Sequence, residues 1–334
     1  MAATPGKSPN EPLPLIGGSS RSWWSKYRLP YLYILPAAII LAIVTLYPII
    51  FEVYLSFTNY KLKNLRGTPP DWIWFDNYIR IFRNELPLVS FNFWRILLFN
   101  FTWTITNVFF HVVIGLAVAL LLNRRRILFR KFWRAIFVIP WAMPPLVVAT
   151  VWKNMFDTQF GAVNLTLKAI GLPGDIAWLT STHAPIPFLP FLPLAYFAVL
   201  ITNVWLGWPF MMVIATGALQ SIPSDLYEAA RIDGASRWQQ TWDITLPLLR
   251  PAMVPAVMYG TILTFNQFNV IYFITAGGPL GKTEILVTQA FKLVNPSGLY
   301  GTAAAFSIIV FFILMVITLA QNKVARGLEG WSDA

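Results

Sequence analysis

Six long apolar stretches punctuate this 334-residue chain, and its polar residues gather between them. The apolar runs are continuous and do not alternate, and each approaches or exceeds the roughly 18–20 residues that carry a helix across a bilayer. They predict helices over 29–57, 93–122, 135–156, 191–219, 251–274 and 302–320. The fold class expected is therefore an all-α integral membrane protein with six transmembrane helices. Residues 1–28 read as a tail rich in Pro, Gly and Ser, disordered over 1–22 and ending in an aromatic and basic segment (Trp23, Trp24, Lys26, Tyr27, Arg28) suited to a membrane surface. That tail lacks the apolar core of a cleavable signal, so the first span is expected to serve as its own insertion signal. The membrane domain is expected over 29–321, with a large polar loop at 220–250 and a tail at 322–334. Residues 58–93 read as a loop or short helix on the opposite face.

Composition sharpens the picture. Apolar residues make up 57% of the chain and charged residues 12%, about half the charge of a soluble domain. The net charge of +11 sits mostly beside apolar runs, which points to membrane topology and not to nucleic acid. With six spans both termini share one side. That side then carries 15 Lys and Arg against 10 on the other, which places the termini and the 220–250 loop in the cytoplasm. The block Arg124, Arg125, Arg126, Arg130, Lys131, Arg134 decides this; it also suits lipid headgroups. The absence of Cys excludes disulfides, zinc thiolates and thiol catalysis.

The polar loop is compact and helix-forming. Ser224 is placed to cap, and Asp225 and Glu228 suit the positive end of a helix. Glu228 to Ile232 continues it, Gly234 allows a sharp turn, and 235–243 is expected to form a second helix stopped by Pro247. Ala229, Ala230 and Ala235 leave a low surface that a partner can approach closely; an ordinary solvated loop helix would share these features. In the fourth and fifth spans, Asn203, Trp205, Gly207, Trp208 and Pro209, and Thr264, Asn266, Gln267 and Asn269, put amides, hydroxyls and aromatic rings at mid-membrane depth. Such groups match sugar hydroxyls and ring faces, and Pro209 is expected to open the backbone locally. The competing reading is interhelical glue.

The pattern Glu228-Ala229-Ala230, Gly234, Ile244, Leu246-Pro247 resembles the coupling loop of ABC importer permeases. Further segments resemble the carbohydrate branch of that family: Ile34-Leu35-Pro36 through Leu55-Ser56-Phe57-Thr58, Phe75-Asp76-Asn77-Tyr78, Phe137-Val138-Ile139-Pro140-Trp141, Leu219-Gln220-Ser221-Ile222-Pro223 and Gly277-Gly278-Pro279. Residues 203–212 and 265–272 are similar to maltose/maltodextrin permeases of the F type, which pair with a related second permease. The resemblance implies a six-helix type I importer permease fold in a bacterial cytoplasmic (inner) membrane. It implies that Glu228, Ala229, Ala230, Asp233 and Gly234 seat in a cytoplasmic ATPase homodimer, which binds and hydrolyses ATP; this chain needs no cofactor and no metal and is no enzyme. It implies delivery of an oligosaccharide, of maltose or maltodextrin type, by an extracytoplasmic binding protein. The implied sugar contacts are Asn203, Leu206, Gly207, Phe210, Thr264 and Gln267. Gly260, Leu263 and Thr264 stand where the resembled permease has serine, phenylalanine and asparagine, which leaves the exact sugar and its length open.

Other features point elsewhere only weakly. Ala276-Gly277-Gly278-Pro279-Leu280-Gly281-Lys282-Thr283 nearly spells a phosphate loop but lacks the first Gly; a turn at the end of the fifth span is expected instead. His111 in the second span has no second His or carboxylate near it in sequence and is expected to be packed and hydrogen-bonded. Glu52 is expected near the external interface, and His183 in an external loop. An ion-coupled secondary sugar transporter is the alternative function; it would need intramembrane carboxylates, which spans two to six do not convincingly offer.

Overall fold

The computed structural model describes residues 23–124 and 127–329, with side chains over 28–124 and 127–327. The expected disordered tail and residues Arg125 and Arg126 of the basic block lie outside the described residues. Contacts divide the chain into two units, 1–51 and 52–334.

The first unit is helical: α1 (Trp23–Leu41), a π-helical turn at Ala42–Leu46, and the start of α2 (Tyr47–Ser56). Its residues 28–51 are exposed throughout. The π-turn ends two residues before Pro48. A proline ring collides with the carbonyl four residues back, and the wider turn moves that carbonyl aside, so the helix continues.

The second unit carries the rest. α3 (Asp76–Phe82) lies in the loop after the first span. α4 (Phe93–Leu122) is the second span, and α5 (Arg130–Ala142) with α6 (Pro145–Met155) forms the third. α7 (Ala162–Ala169) precedes α8 (Leu194–Gln220), the fourth span. α9 (Ser224–Ile232) and α10 (Arg237–Gln239) form the polar loop. α11 (Leu246–Phe265) and α12 (Phe268–Thr275) make up the fifth span, α13 (Leu286–Val294) follows, and α14 (Tyr300–Glu329) is the sixth. Over the described residues of the whole chain, five helical segments are long and apolar enough to cross a membrane, and six if α5 and α6 count as one.

Several expectations need correction. The third span is not one straight helix from 135 to 156: α5 and α6 meet at 90°. Pro144 and Pro145 bar the residues before them from helical geometry, so Met143 (ψ 142°) and Pro144 (ψ 126°) are extended. Pro209 does not open α8, which runs through it. Pro247 does not stop a helix. A π-turn at Gln240–Thr245 precedes it by two residues, repeating the arrangement at Pro48, and the helix runs on from α10 into α11. Ser224 does not cap, since α9 begins at Ser224 itself after Pro223. The last helix continues past 320 to Glu329.

Packing is closest between α4 and α8. A Cβ on Gly115 would lie 2.7 Å from Met211 Cβ and 2.8 Å from the Trp208 carbonyl oxygen, so glycine lets the two backbones approach. Met211, Met212, Ala215, Ala119 and Leu249 fill one end of this seam, and Phe99, Trp103, Tyr196, Val199 and Ile271 the other. Asn77 ties the end of the first span to the sixth: its Nδ2 donates to the Ser56 and Thr58 carbonyls (both 2.9 Å), and its Oδ1 accepts from Thr302 Oγ1 (2.9 Å). The Phe75–Tyr78 segment is thus a structural clasp.

Candidate functional site

The fifth span is broken. α11 ends at Phe265 and α12 starts at Phe268, with Gln267 at ψ 75° between them. A break inside a membrane leaves carbonyls without helical partners, and these must be satisfied by neighbours. Here α4 supplies them: Trp103 Nε1 donates to the Thr264 carbonyl (3.1 Å) and Asn100 Nδ2 to the Phe265 carbonyl (3.1 Å). Asn100 Oδ1 also accepts from the Leu286 amide (2.8 Å). The break is therefore built by the second span as much as by the fifth.

Beside it lies a cavity of about 190 Å³. All six sugar contacts expected from the sequence, Asn203, Leu206, Gly207, Phe210, Thr264 and Gln267, line it, together with His111, Trp141, Met143, Pro145, Met211, Gly260 and Leu263. Asn203 is 1% exposed and central to a chain of amides. Its Nδ2 donates to Asn107 Oδ1 (2.8 Å), and its Oδ1 accepts from Gln267 Nε2 (3.1 Å). Asn107 Nδ2 donates in turn to the Trp103 carbonyl (2.7 Å). His111 Nε2 sits 2.9 Å from the Asn203 carbonyl oxygen; a carbonyl only accepts, so Nε2 carries the proton. Gly207 is required by that ring, because a Cβ there would lie 2.4 Å from His111 Cε1 and Nε2. His111 is thus packed and hydrogen-bonded, as expected, and is also part of the cavity wall. Asn203 is committed to its neighbours, whereas no hydrogen bond of Gln267 Oε1 or Thr264 Oγ1 is made among the described residues. The aromatic wall is Trp141 against Phe210 (ring centroids 5.7 Å apart). No Lys, Arg, Asp or Glu lines the cavity.

Sequence reasoning passed over Asn107, Trp141 and Met143. The signal for Asn107 is spacing: Asn100, Trp103, Asn107 and His111 recur at three and four residues and so share one face of α4. A larger cavity of about 440 Å³ between α4, α11 and α14 is lined mainly by aliphatic side chains such as Val112, Leu249 and Val257, and offers a polar solute few partners.

The polar loop is rigid at its turn. Ala235 N donates to the Ala230 carbonyl (2.8 Å) and Gly234 N to the Arg231 carbonyl (3.2 Å), the paired bonds of a Schellman cap. Gly234 has φ +82°, a conformation that L residues resist. Ser236 and Gln239 then form a reciprocal capping box, so the turn passes directly from one cap into the next. Glu228 pairs with Arg231 at 3.6 Å, both well exposed, a contact worth little. Ala229 and Asp233 are exposed and Ala230 half-buried. Apolar side chains stand in the open around the turn: Ile232 is 87% exposed and Trp238 71%. Tyr227 OH lies 3.0 Å from Thr245 Oγ1 and fastens α9 to the π-turn that leads into α11.

The phosphate-loop look-alike is a packed turn. Glu284, 2% exposed, lies over Gly277, where a Cβ would come within 1.9 Å of its Oε1, and pairs with Lys292. A buried carboxylate there opposes a phosphate. Among the described residues no group of three or more His, Cys, Asp or Glu could hold a metal ion.

An uncharged polar cavity at a helix break inside a bundle of membrane helices defines the class: a solute permease. Residues 111–330 match the family described as "binding-protein-dependent transport system inner membrane component", and the chain belongs to that family. It is 33% identical over 310 residues to the galactooligosaccharides transport system permease protein GanP of Bacillus subtilis, covering 90% of this chain and 71% of that one. It is 33% identical over 308 residues to the trehalose/maltose transport system permease protein MalF of Thermococcus litoralis, covering 92% and 97%, and 34% identical to the maltodextrin transport system permease protein MdxF of Bacillus subtilis, covering 88% and 68%. A solved bacterial ABC transporter involved in the import of the acidic polysaccharide alginate matches with TM-score 0.73 at 24% identity, covering 91% of this chain and 96% of that chain. The fold is that of type I importer permeases, and the protein is a multi-pass permease of the inner membrane.

Proposed function

We propose that this chain is one of two permease subunits of an ATP-driven, binding-protein-dependent importer of a neutral oligosaccharide, of maltose or maltodextrin type. The observation that carries this is the gathering of Asn203, Leu206, Gly207, Phe210, Thr264 and Gln267 around a cavity free of charged side chains at the break in the fifth span. Amides and a hydroxyl match sugar hydroxyls, and Trp141 and Phe210 suit the apolar face of a pyranose. An acidic sugar would meet no cation there. At about 190 Å³ the cavity is smaller than the roughly 300–1,000 Å³ of sites that enclose drug-sized ligands, which fits a site completed by a second permease.

In this reading the termini and the 220–250 loop face the cytoplasm, and the loop seats in an ATPase homodimer. ATP-driven closure moves the loop, α10, the π-turn and α11 as one piece and alters the break at Asn266–Gln267. An extracytoplasmic binding protein delivers the sugar to the opposite mouth. This chain contributes no covalent chemistry. The test is uptake of labelled maltodextrins, galactooligosaccharides and an oligouronate into proteoliposomes holding the complete assembly. Uptake of a neutral sugar that needs ATP is expected. Uptake that follows a proton or sodium gradient without the ATPase would establish the secondary transporter, and equal uptake of the oligouronate would remove the argument from the cavity.

A further inference from the structure

Only residues 123–129 separate α4, which ends at Leu122, from α5, which begins at Arg130. What stands there is two-sided. At about 100° per residue, Arg130, Lys131 and Arg134 fall on one side of the first turns of α5, while Phe132 and Trp133 fall on the other, joined by Phe129 just before the helix. Leu128 and Phe129 are 77% and 78% exposed, and Phe132 and Trp133 are exposed as well. A soluble protein partner would explain the charges or the apolar rings; an interfacial helix explains both, with rings in the acyl region and cations among headgroups. Arg134 is half-buried: its Nε is closed off with no hydrogen-bond acceptor among the described residues, so the outer Nη groups of the guanidinium are the donors left for a phosphate oxygen.

We infer that Arg130, Lys131 and Arg134 form a binding site for the phosphate headgroup of an anionic phospholipid, with Phe129, Phe132 and Trp133 seated against its acyl chains. The site is joined to the cavity by rings: Trp133 stacks on Phe137 (6.0 Å), Phe137 meets Trp208 on α8 edge-on (5.5 Å), and α5 itself carries Trp141 into the cavity wall. Lipid held at one end of α5 therefore fixes a helix that borders the substrate site at the other.

The experiment is native mass spectrometry of the full-length chain in neutral detergent, titrated with dioctanoyl phosphatidylglycerol, with dioctanoyl phosphatidylcholine, and with phosphatidylglycerol plus inorganic phosphate. At about fivefold per basic residue, the wild type is expected to retain phosphatidylglycerol at least tenfold over phosphatidylcholine. R130Q/K131Q/R134Q is expected to lose that preference, and K61Q/K63Q/R66Q, in a different loop, to keep it. R134Q alone, the milder variant should the triple one not fold, is expected to lose about fivefold. Equal retention of the two lipids by the wild type, or undiminished preference in R134Q and the triple variant, would overturn the site. Displacement by inorganic phosphate at equal concentration would assign it to soluble anions and overturn the lipid.

Discussion

Asn203 and Gln267 separate two roles that a sequence cannot. Asn203 spends its side chain on Asn107 and Gln267 inside the protein, so Asn203→Ala strands buried polar partners. A loss of about 1–3 kcal/mol is expected, visible as a lower unfolding temperature together with lost transport. Gln267 lines the cavity and its side chain is bonded through Nε2 alone among the described residues, so Gln267→Ala is expected to cost only about 0.6 kcal/mol of stability while lowering sugar uptake or affinity several-fold. Transport unchanged by Gln267→Ala would return the amides to the role of glue. Gly207→Ala drives a methyl into the His111 ring, and overpacking of this kind costs about 1–3 kcal/mol; a thermal melt of the purified chain checks it. Gly234 differs, since nothing lies within 4 Å of a Cβ built there. Gly234→Val is expected to insert and fold, with about 1–2 kcal/mol of backbone strain confined to the turn, yet to abolish uptake and ATPase association. Co-purification of the ATPase with that variant, with normal uptake, would count against the docking role of the loop.

At the scale of elements, the fifth span shows where reading from sequence succeeds and stops. Thr264 and Gln267, polar in an apolar run, drew notice to the stretch that borders the cavity. The break itself was not legible, because Asn100 and Trp103, which satisfy its carbonyls, lie about 165 residues earlier in the chain. The third span is the reverse. Pro144-Pro145 stood in plain sight, but the apolar run across it has the length of one crossing, and only geometry shows the right angle. Pro247 was read as a stop because proline usually ends a helix; the wide turn before it, fastened by Tyr227 and Thr245, removes the clash. Tyr227→Phe deletes that fastening. The expected result is ATP hydrolysis near the normal rate with less sugar moved per ATP, measured side by side in proteoliposomes. An unchanged ratio would show that the hydrogen bond carries no coupling.

For the whole molecule, the apolar pattern located the six apolar stretches and the polar loop between the fourth and fifth, the Lys and Arg count supplied an expected orientation, and the family resemblance supplied the loop's expected role. What a single chain's sequence withholds is what covers it. The exposed Ile232 and Trp238 stand open around the turn. The run from α10 through the π-turn to Phe265 has two ends, one at the proposed ATPase seat and one at the proposed sugar cavity. Equilibrium linkage is symmetric: by whatever factor docking of the ATPase changes the hold on sugar, bound sugar must change the hold on the ATPase by the same factor. A saturating oligosaccharide would then act as a messenger to the cytoplasm, telling the motor that cargo is aboard.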